Sequence, residues 1–137
     1  MTGQLYAEVQ QFYARHMHLL DVGAAEEWAQ TFTDDATFTM PLRAEPVRGR
    51  TELAAGVTRA KAEMARTGEV QKHWHGMVAV DPRPDGSVGV RCYALVFSTQ
   101  VGGESKLHRV CVCEDVLVRE DGDLRVSTRH VTRDDLT

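Results

Sequence analysis

No stretch of this sequence approaches the roughly 20 consecutive apolar residues that a membrane-spanning helix needs. Its opening residues, MTGQLYAEVQ, carry no apolar core of the kind that marks a secretory signal, so a cytoplasmic protein is expected. A long basic run is also missing. Sixteen Lys and Arg face 20 Asp and Glu, for a net charge of −4, with both signs interspersed. That balance argues against nucleic acid as a partner. Cysteine is scarce and odd in number: Cys92, Cys111 and Cys113. Without a secretory signal this argues against a disulfide framework, and the thiols are read as small buried hydrophobes. There is no glycine-rich phosphate loop or dinucleotide fingerprint, and no G-x-S-x-G elbow for a serine nucleophile. No cofactor and no metal are expected. Repeats and low-complexity tracts are absent too.

What remains is an ordinary soluble composition, 42 % hydrophobic and 26 % charged, over 137 residues. That is enough for one domain with one core, taken as residues 1–137. Residues 4–20 place Leu5, Val9, Phe12, Tyr13, His16 and Leu19/Leu20 at helical spacing. A second short helix carries Ala25, Trp28, Ala29 and Phe32 on one stripe. TDDA breaks it, and TFTM (37–40) reads as a short strand. Thr51 is the expected N-cap of a third helix, with Leu53, Val57, Ala60 and Met64 inward and Gly68 at its end. Beyond it the period changes to two. Residues 73–80, 87–100, 106–118 and 124–132 read as strands joined by DPRPDG, VGGES and EDGD, all hairpin chemistry. The last four strands should form an antiparallel meander, and residues 133–137 a frayed tail. Helices followed by long antiparallel strands make an α+β layer fold. Such a sheet must twist, and helices on its concave side would leave a cone open at one end.

In KHWHG (72–76) the two histidines share a strand face and Trp74 takes the other. Imidazole exchanges a proton near neutral pH, so a histidine held by a carboxylate in such a cone suits general acid/base work. Spacing leaves open whether His73 or His75 faces the pocket. Asp21, placed against the helix dipole at the end of the first helix, is the candidate partner. His73 and His75 with a third ligand could hold a metal, but spacing designates no third ligand. His16, facing the core, needs a partner of its own.

The stretch LDVGAAEEWAQTFTDDATFTMP, followed by VRGRTEL, resembles the nuclear transport factor 2-like superfamily, and within it the SnoaL-like proteins. The likeness spans nearly the whole chain. It implies three helices packed on a strongly curved, mainly antiparallel sheet. ATFTMPLRAEPVRG is similar to a ketosteroid isomerase segment, but Met40 stands where that family has its Asp base. Scytalone dehydratase is similar at Asp21 and at His73. Its water-orienting tyrosines correspond to Leu20 and Met40 here, and its sheet histidine that pairs with the Asp corresponds to Ser98. The resemblance puts Ser98 and Cys113 toward the cavity and Asp115 near a second acid position. Tyr13, His16, Phe38, Met40 and Met64 complete the expected substrate wall. Trp28 and Phe32 are read as plain core. The expected activity is lyase, isomerase or cyclase chemistry on a hydrophobic polyketide-like molecule, carried by His73 and Asp21. The alternatives are a non-catalytic binding or assembly module and an epoxide-opening enzyme. The latter wants Asp–Arg–Asp about a water, and Asp115 and Arg91 fall on opposite expected faces. Trp74, Tyr93 and Phe97 would lie on the convex face, where exposed aromatics predict a homodimer.

Overall fold

The computed structural model of the chain describes residues 2–136. Thr2 accepts a hydrogen bond from the Leu5 N–H (3.1 Å) and starts helix α1 (Gly3–Asp21). Val9, Tyr13, His16 and Met17 are its buried stripe, the i, i+4, i+7, i+8 spacing of one helical face. Gly23, at φ 75°, turns the chain into α2 (Ala25–Ala29), which buries Trp28 and Ala29.

Strand β1 runs Phe32–Thr39, five residues earlier than the sequence pattern places it. The cause is tertiary. Phe32 pairs in parallel with Val126, about ninety residues away in the chain, and a register shift follows before Thr37 pairs with Thr128. Asp34 and Asp35 sit exposed in that irregular stretch, where Arg50 bonds the Asp34 carboxylate. A two-residue strand β2 (Val47–Arg48) precedes α3 (Gly49–Thr67). The N-cap position of α3 is Arg48, not Thr51, and it has no side-chain cap. Glu52 instead reaches back to accept the Arg48 N–H at 3.3 Å. Gly68 closes the helix in the left-handed conformation, φ 73°.

Strands β3 (Glu69–Pro82), β4 (Val88–Gln100), β5 (Ser105–Glu120) and β6 (Asp123–Arg133) form the antiparallel meander. Asp121 and Gly122, both at positive φ, form the tight β5–β6 turn that a right-twisted hairpin favours. The sheet order is β2-β1-β6-β5-β4-β3, antiparallel throughout except for the parallel β1–β6 pair. Bulges interrupt register at Gly76/Ala79, Val96/Phe97 and Val116/Leu117, and each adds local twist. The expected frayed tail is ordered as far as it is described. Asp134–Leu136 form a short 3-10 turn, and Arg133 bonds Asp135 at 2.6 and 3.0 Å; Thr137 lies outside the described residues.

The fold is therefore α+β, with three helices packed on an open six-stranded sheet. The core lies between them, built on Val9, Trp28, Phe32, Leu53, Leu117 and Val126. On the opposite sheet face Trp74 and Tyr93 stand 64 % and 49 % exposed. Among the described residues no helix is long and apolar enough to cross a membrane.

Candidate active site

The helices do not fill the sheet's inner face. A hollow of about 410 Å³ remains, within the usual range for a small-molecule pocket. Its walls are largely apolar: Met17 and Leu20 from α1, Phe38 and Met40 from β1 and the loop after it, Met64 from α3, Val96 from β4. Strand periodicity aims Gln71, His73 and His75 of β3 into it, with Cys111 and Cys113 of β5. Arg43, Arg59 and Lys61 border it from exposed positions.

His73 and Asp21 meet. The Asp21 carboxylate takes the His73 ring at Nδ1 (2.7 Å) with one oxygen, and accepts the His73 backbone N–H (3.1 Å) with the other. This double grip fixes the ring's position, since strand and imidazole are held by the same carboxylate. It also gives Asp21 the compensation that an acid at a helix C-terminus requires. Both side chains are mostly but not wholly buried, 23 % and 14 % exposed. Among the described residues the ring makes no other hydrogen bond, so Nε2 is free for a ligand. Asp21's partner is thus the histidine at the start of β3, and no histidine stands at position 98.

Beneath this pair lies a second polar assembly. Arg129 of β6 grips Asp115 of β5 with two hydrogen bonds of 2.9 Å, and Tyr13 donates its hydroxyl to the same carboxylate at 2.6 Å. Cys113 adds a thiol contact at 3.3 Å. All of Arg129, Asp115 and Tyr13 are at most 3 % exposed. Burial alone would raise the Asp115 carboxyl, but the Arg129 guanidinium beside it and its hydrogen bonds hold it below the usual carboxylate range. Burial and the Asp115 charge push the Tyr13 hydroxyl well up. The guanidinium itself packs over the Phe32 and Phe38 rings, 5.3 and 5.5 Å from their centroids. Of this assembly only Arg129 and the neighbouring Cys113 reach the hollow.

Phe38, Met40, Met64 and Cys113 line the hollow, and so does Trp28, read from sequence as plain core. Four expected substrate contacts do not line it. Tyr13 and Asp115 are sealed in the buried ion pair. His16 is fully buried in an aromatic cage, stacked between Phe12 and Trp28, with Nδ1 on the Thr31 hydroxyl at 2.6 Å. Burial, then the charge of Arg129, lowers its pKa well below the ordinary 6.5. Ser98 lies one pleat beyond Val96, the last β4 residue to line the hollow, and donates to Glu69 at 2.5 Å.

Sequence reasoning missed Arg129 and the basic rim. It also read the thiols only as small buried hydrophobes. Cys92 and Cys113 are directly opposed on β4 and β5, and the Cys92 sulfur lies 3.5 Å from His75 Nδ1. Contacts with Cys113 and His75 lower the Cys92 thiol to about 6, while the same contact and burial push Cys113 up. The arginine near Asp115 is Arg129; Arg91 points away and pairs with Glu114 at 3.1 Å.

The SnoaL-like domain model matches residues 3–130. The chain is similar to Aln2 from a Streptomyces species, at 35 % identity over 99 % of this chain and 95 % of that one, TM-score 0.89. It is similar to ActVI-ORFA from Streptomyces coelicolor, at 30 % identity over 96 % and 98 %, TM-score 0.88. A structure from Catenulispora acidiphila in complex with S-DNPA matches at 39 % identity over 98 % and 97 %, TM-score 0.85.

Proposed function

The chain belongs to the SnoaL-like family, and from that premise we propose an enzyme that moves protons on a hydrophobic, oxygenated cyclic molecule of polyketide type. The step is a cyclisation, dehydration or isomerisation. His73 is the general acid/base and Asp21 its orienting partner. The observation that carries this reading is the 2.7 Å contact of Asp21 with His73 Nδ1 at the wall of an apolar hollow. Imidazole bound at Nδ1 by a carboxylate presents Nε2 as the proton-exchanging atom. The carboxylate keeps the ring in one tautomer and stabilises the imidazolium that forms when Nε2 takes a proton. The apolar wall excludes water and holds the ring system near that nitrogen. Gln71 and the basic rim of Arg43, Arg59 and Lys61 supply donors for substrate oxygens. A relative that holds S-DNPA supports a small-molecule ligand for this hollow.

S-DNPA serves as the probe. Wild-type protein should bind it by calorimetry and catalyse solvent deuterium incorporation into it, read by NMR. His73→Gln should keep binding within a few-fold and slow exchange by roughly 10²–10⁴-fold, the usual contribution of a general acid/base. Wild-type binding with no exchange or conversion would favour the alternative, a binding or assembly module with Met40 where an isomerase base would stand. Epoxide opening is less well supported. Both oxygens of Asp115 are occupied by Arg129, Tyr13 and Cys113, leaving no lone pair aimed at a water.

The outer face of the sheet exposes Trp74, Tyr93 and Leu107. We propose that two copies pair through it. Trp74→Asp should then shift the sedimentation of the protein from dimer to monomer. A wild-type monomer at high concentration would refute the pairing.

A further inference from the structure

Three soft donors are left over from the proton-transfer reading. His75, two residues along β3 from His73, aims its ring into the hollow. Cys92 of β4 and Cys113 of β5 face each other across the ladder, each 1 % exposed. The histidine nitrogen and the two sulfurs all lie within 4.8 Å of one another. One edge of that triangle, Cys92 Sγ to His75 Nδ1, is 3.5 Å.

Those distances have a specific meaning. A tetrahedral Zn²⁺ with Zn–S of about 2.3 Å and Zn–N of about 2.05 Å has S···N and S···S edges of roughly 3.6 and 3.8 Å. The His75–Cys92 edge already has that length. Ordinary rotamer adjustment closes the rest, because two of the three donors come from opposed positions on one rigid hairpin. Thiolate and imidazole together select thiophilic cations over Mg²⁺ or Ca²⁺.

We propose that His75, Cys92 and Cys113 form a site for a thiophilic divalent cation, Zn²⁺, with its fourth position open to the hollow. The open side follows from the lining: His75 and Cys113 border the hollow, while Asp115 lies behind Cys113 and is saturated by Arg129 and Tyr13. Asp115 therefore acts from outside the coordination sphere. Its contact to Cys113 Sγ at 3.3 Å orients that sulfur. Binding releases the thiol protons to solvent. A metal held there presents its vacant position to an oxygen of whatever occupies the hollow. The site does not depend on the proton-transfer reading, since neither His73 nor Asp21 is a ligand.

The probe is Co²⁺, added under reducing conditions to the full chain without substrate. One equivalent per chain should produce the visible bands of tetrahedral cobalt and the near-ultraviolet thiolate-to-cobalt band, and Zn²⁺ should displace them. His73→Gln and Cys111→Ala should keep these spectra. Cys92→Ala, Cys113→Ala and His75→Gln should each abolish the spectrum or weaken binding by more than the roughly 10–100-fold that loss of an outer partner costs. Circular dichroism reports whether each variant is folded. Should either cysteine variant fail to fold, the partly exposed His75→Gln decides the matter. Three results would overturn the proposal: no thiolate band in folded wild type, a spectrum indifferent to His75→Gln, or one lost in Cys111→Ala but kept in Cys92→Ala. A Cys92–Cys113 disulfide that persists in reductant and excludes cobalt would overturn it as well.

Discussion

Asp21 and Asp115 are both carboxylates in contact with a positively chargeable partner, yet they differ in what is left over. Asp21 holds His73 with both oxygens, and the histidine keeps one nitrogen unspent at the wall of the hollow. Asp115 is gripped by Arg129, Tyr13 and Cys113, so no oxygen remains. Arginine does not give up its proton, whereas histidine does so near neutral pH. The first pair therefore keeps a nitrogen for a ligand, and the second is spent holding the strands and the first helix together. Proximity of charge does not separate the two cases; unused hydrogen-bonding capacity facing the hollow does.

The sharpest way to break this comparison is to remove one member of the sealed pair. Asp115→Asn leaves Arg129 charged and without its counter-ion at 3 % exposure. The expected cost is about 3–5 kcal/mol of stability, read as a fall in the urea midpoint. Loss of less than about 1 kcal/mol would mean that water or a rearranged partner reaches Arg129, and the distinction drawn here would fail.

The corresponding change in the open pair should reverse the pattern. Asp21→Asn keeps an acceptor for the His73 N–H, so stability should move by only about 0.5–1.5 kcal/mol. Catalysis should fall steeply, by up to about 10⁴-fold, because the amide no longer fixes the tautomer that leaves Nε2 free. Deuterium exchange into S-DNPA measures this. Equal exchange in Asp21→Asn and wild type would remove Asp21 from the mechanism while leaving His73 in it.

The open pair was legible in sequence and the sealed one was not, for a physical reason. Asp21 and His73 were anticipated because they match the family's Asp and histidine positions at element ends, with His75 left open as the alternative. Arg129 sits beyond an irregularity. On β6, Leu124 and Val126 are buried, and the next buried residue is Arg129, an odd step of three. The register shift near Val116/Leu117, where Leu117 pairs with Val126 and Val116 with Thr128, makes that step. Strict alternation places Arg129 outside. β1 began early for a similar reason: its first residue is held by a parallel partner distant in the chain. The thiol–imidazole cluster needed two hairpin registers at once. Each hairpin was anticipated, but its pairing was not, and a slip of one residue moves a side chain to the other face.

His16 offers the finest test of the same idea, because it is a histidine with the wrong surroundings for proton exchange. Its Nε2 is buried without a hydrogen-bond partner, and burial, then the charge of Arg129, disfavours the charged ring, with the His75 and His73 imidazoles also nearby. The folded-state pKa thus lies below the unfolded value near 6.5. Below that value the unfolded chain binds a proton that the native chain refuses. The contribution of a neutral His16 is therefore fully present above about pH 6.5 and is lost as pH falls, by up to about 1.4 kcal/mol for each pH unit while the native ring stays neutral. His16→Phe keeps the stack between Phe12 and Trp28 and deletes the titration. The mutant-minus-wild-type stability difference, from urea melts at about pH 7 and about pH 5, should move in the mutant's favour as pH drops. A difference that does not change with pH would mean that His16 accepts its proton inside the fold, and that burial alone does not separate silent histidines from working ones.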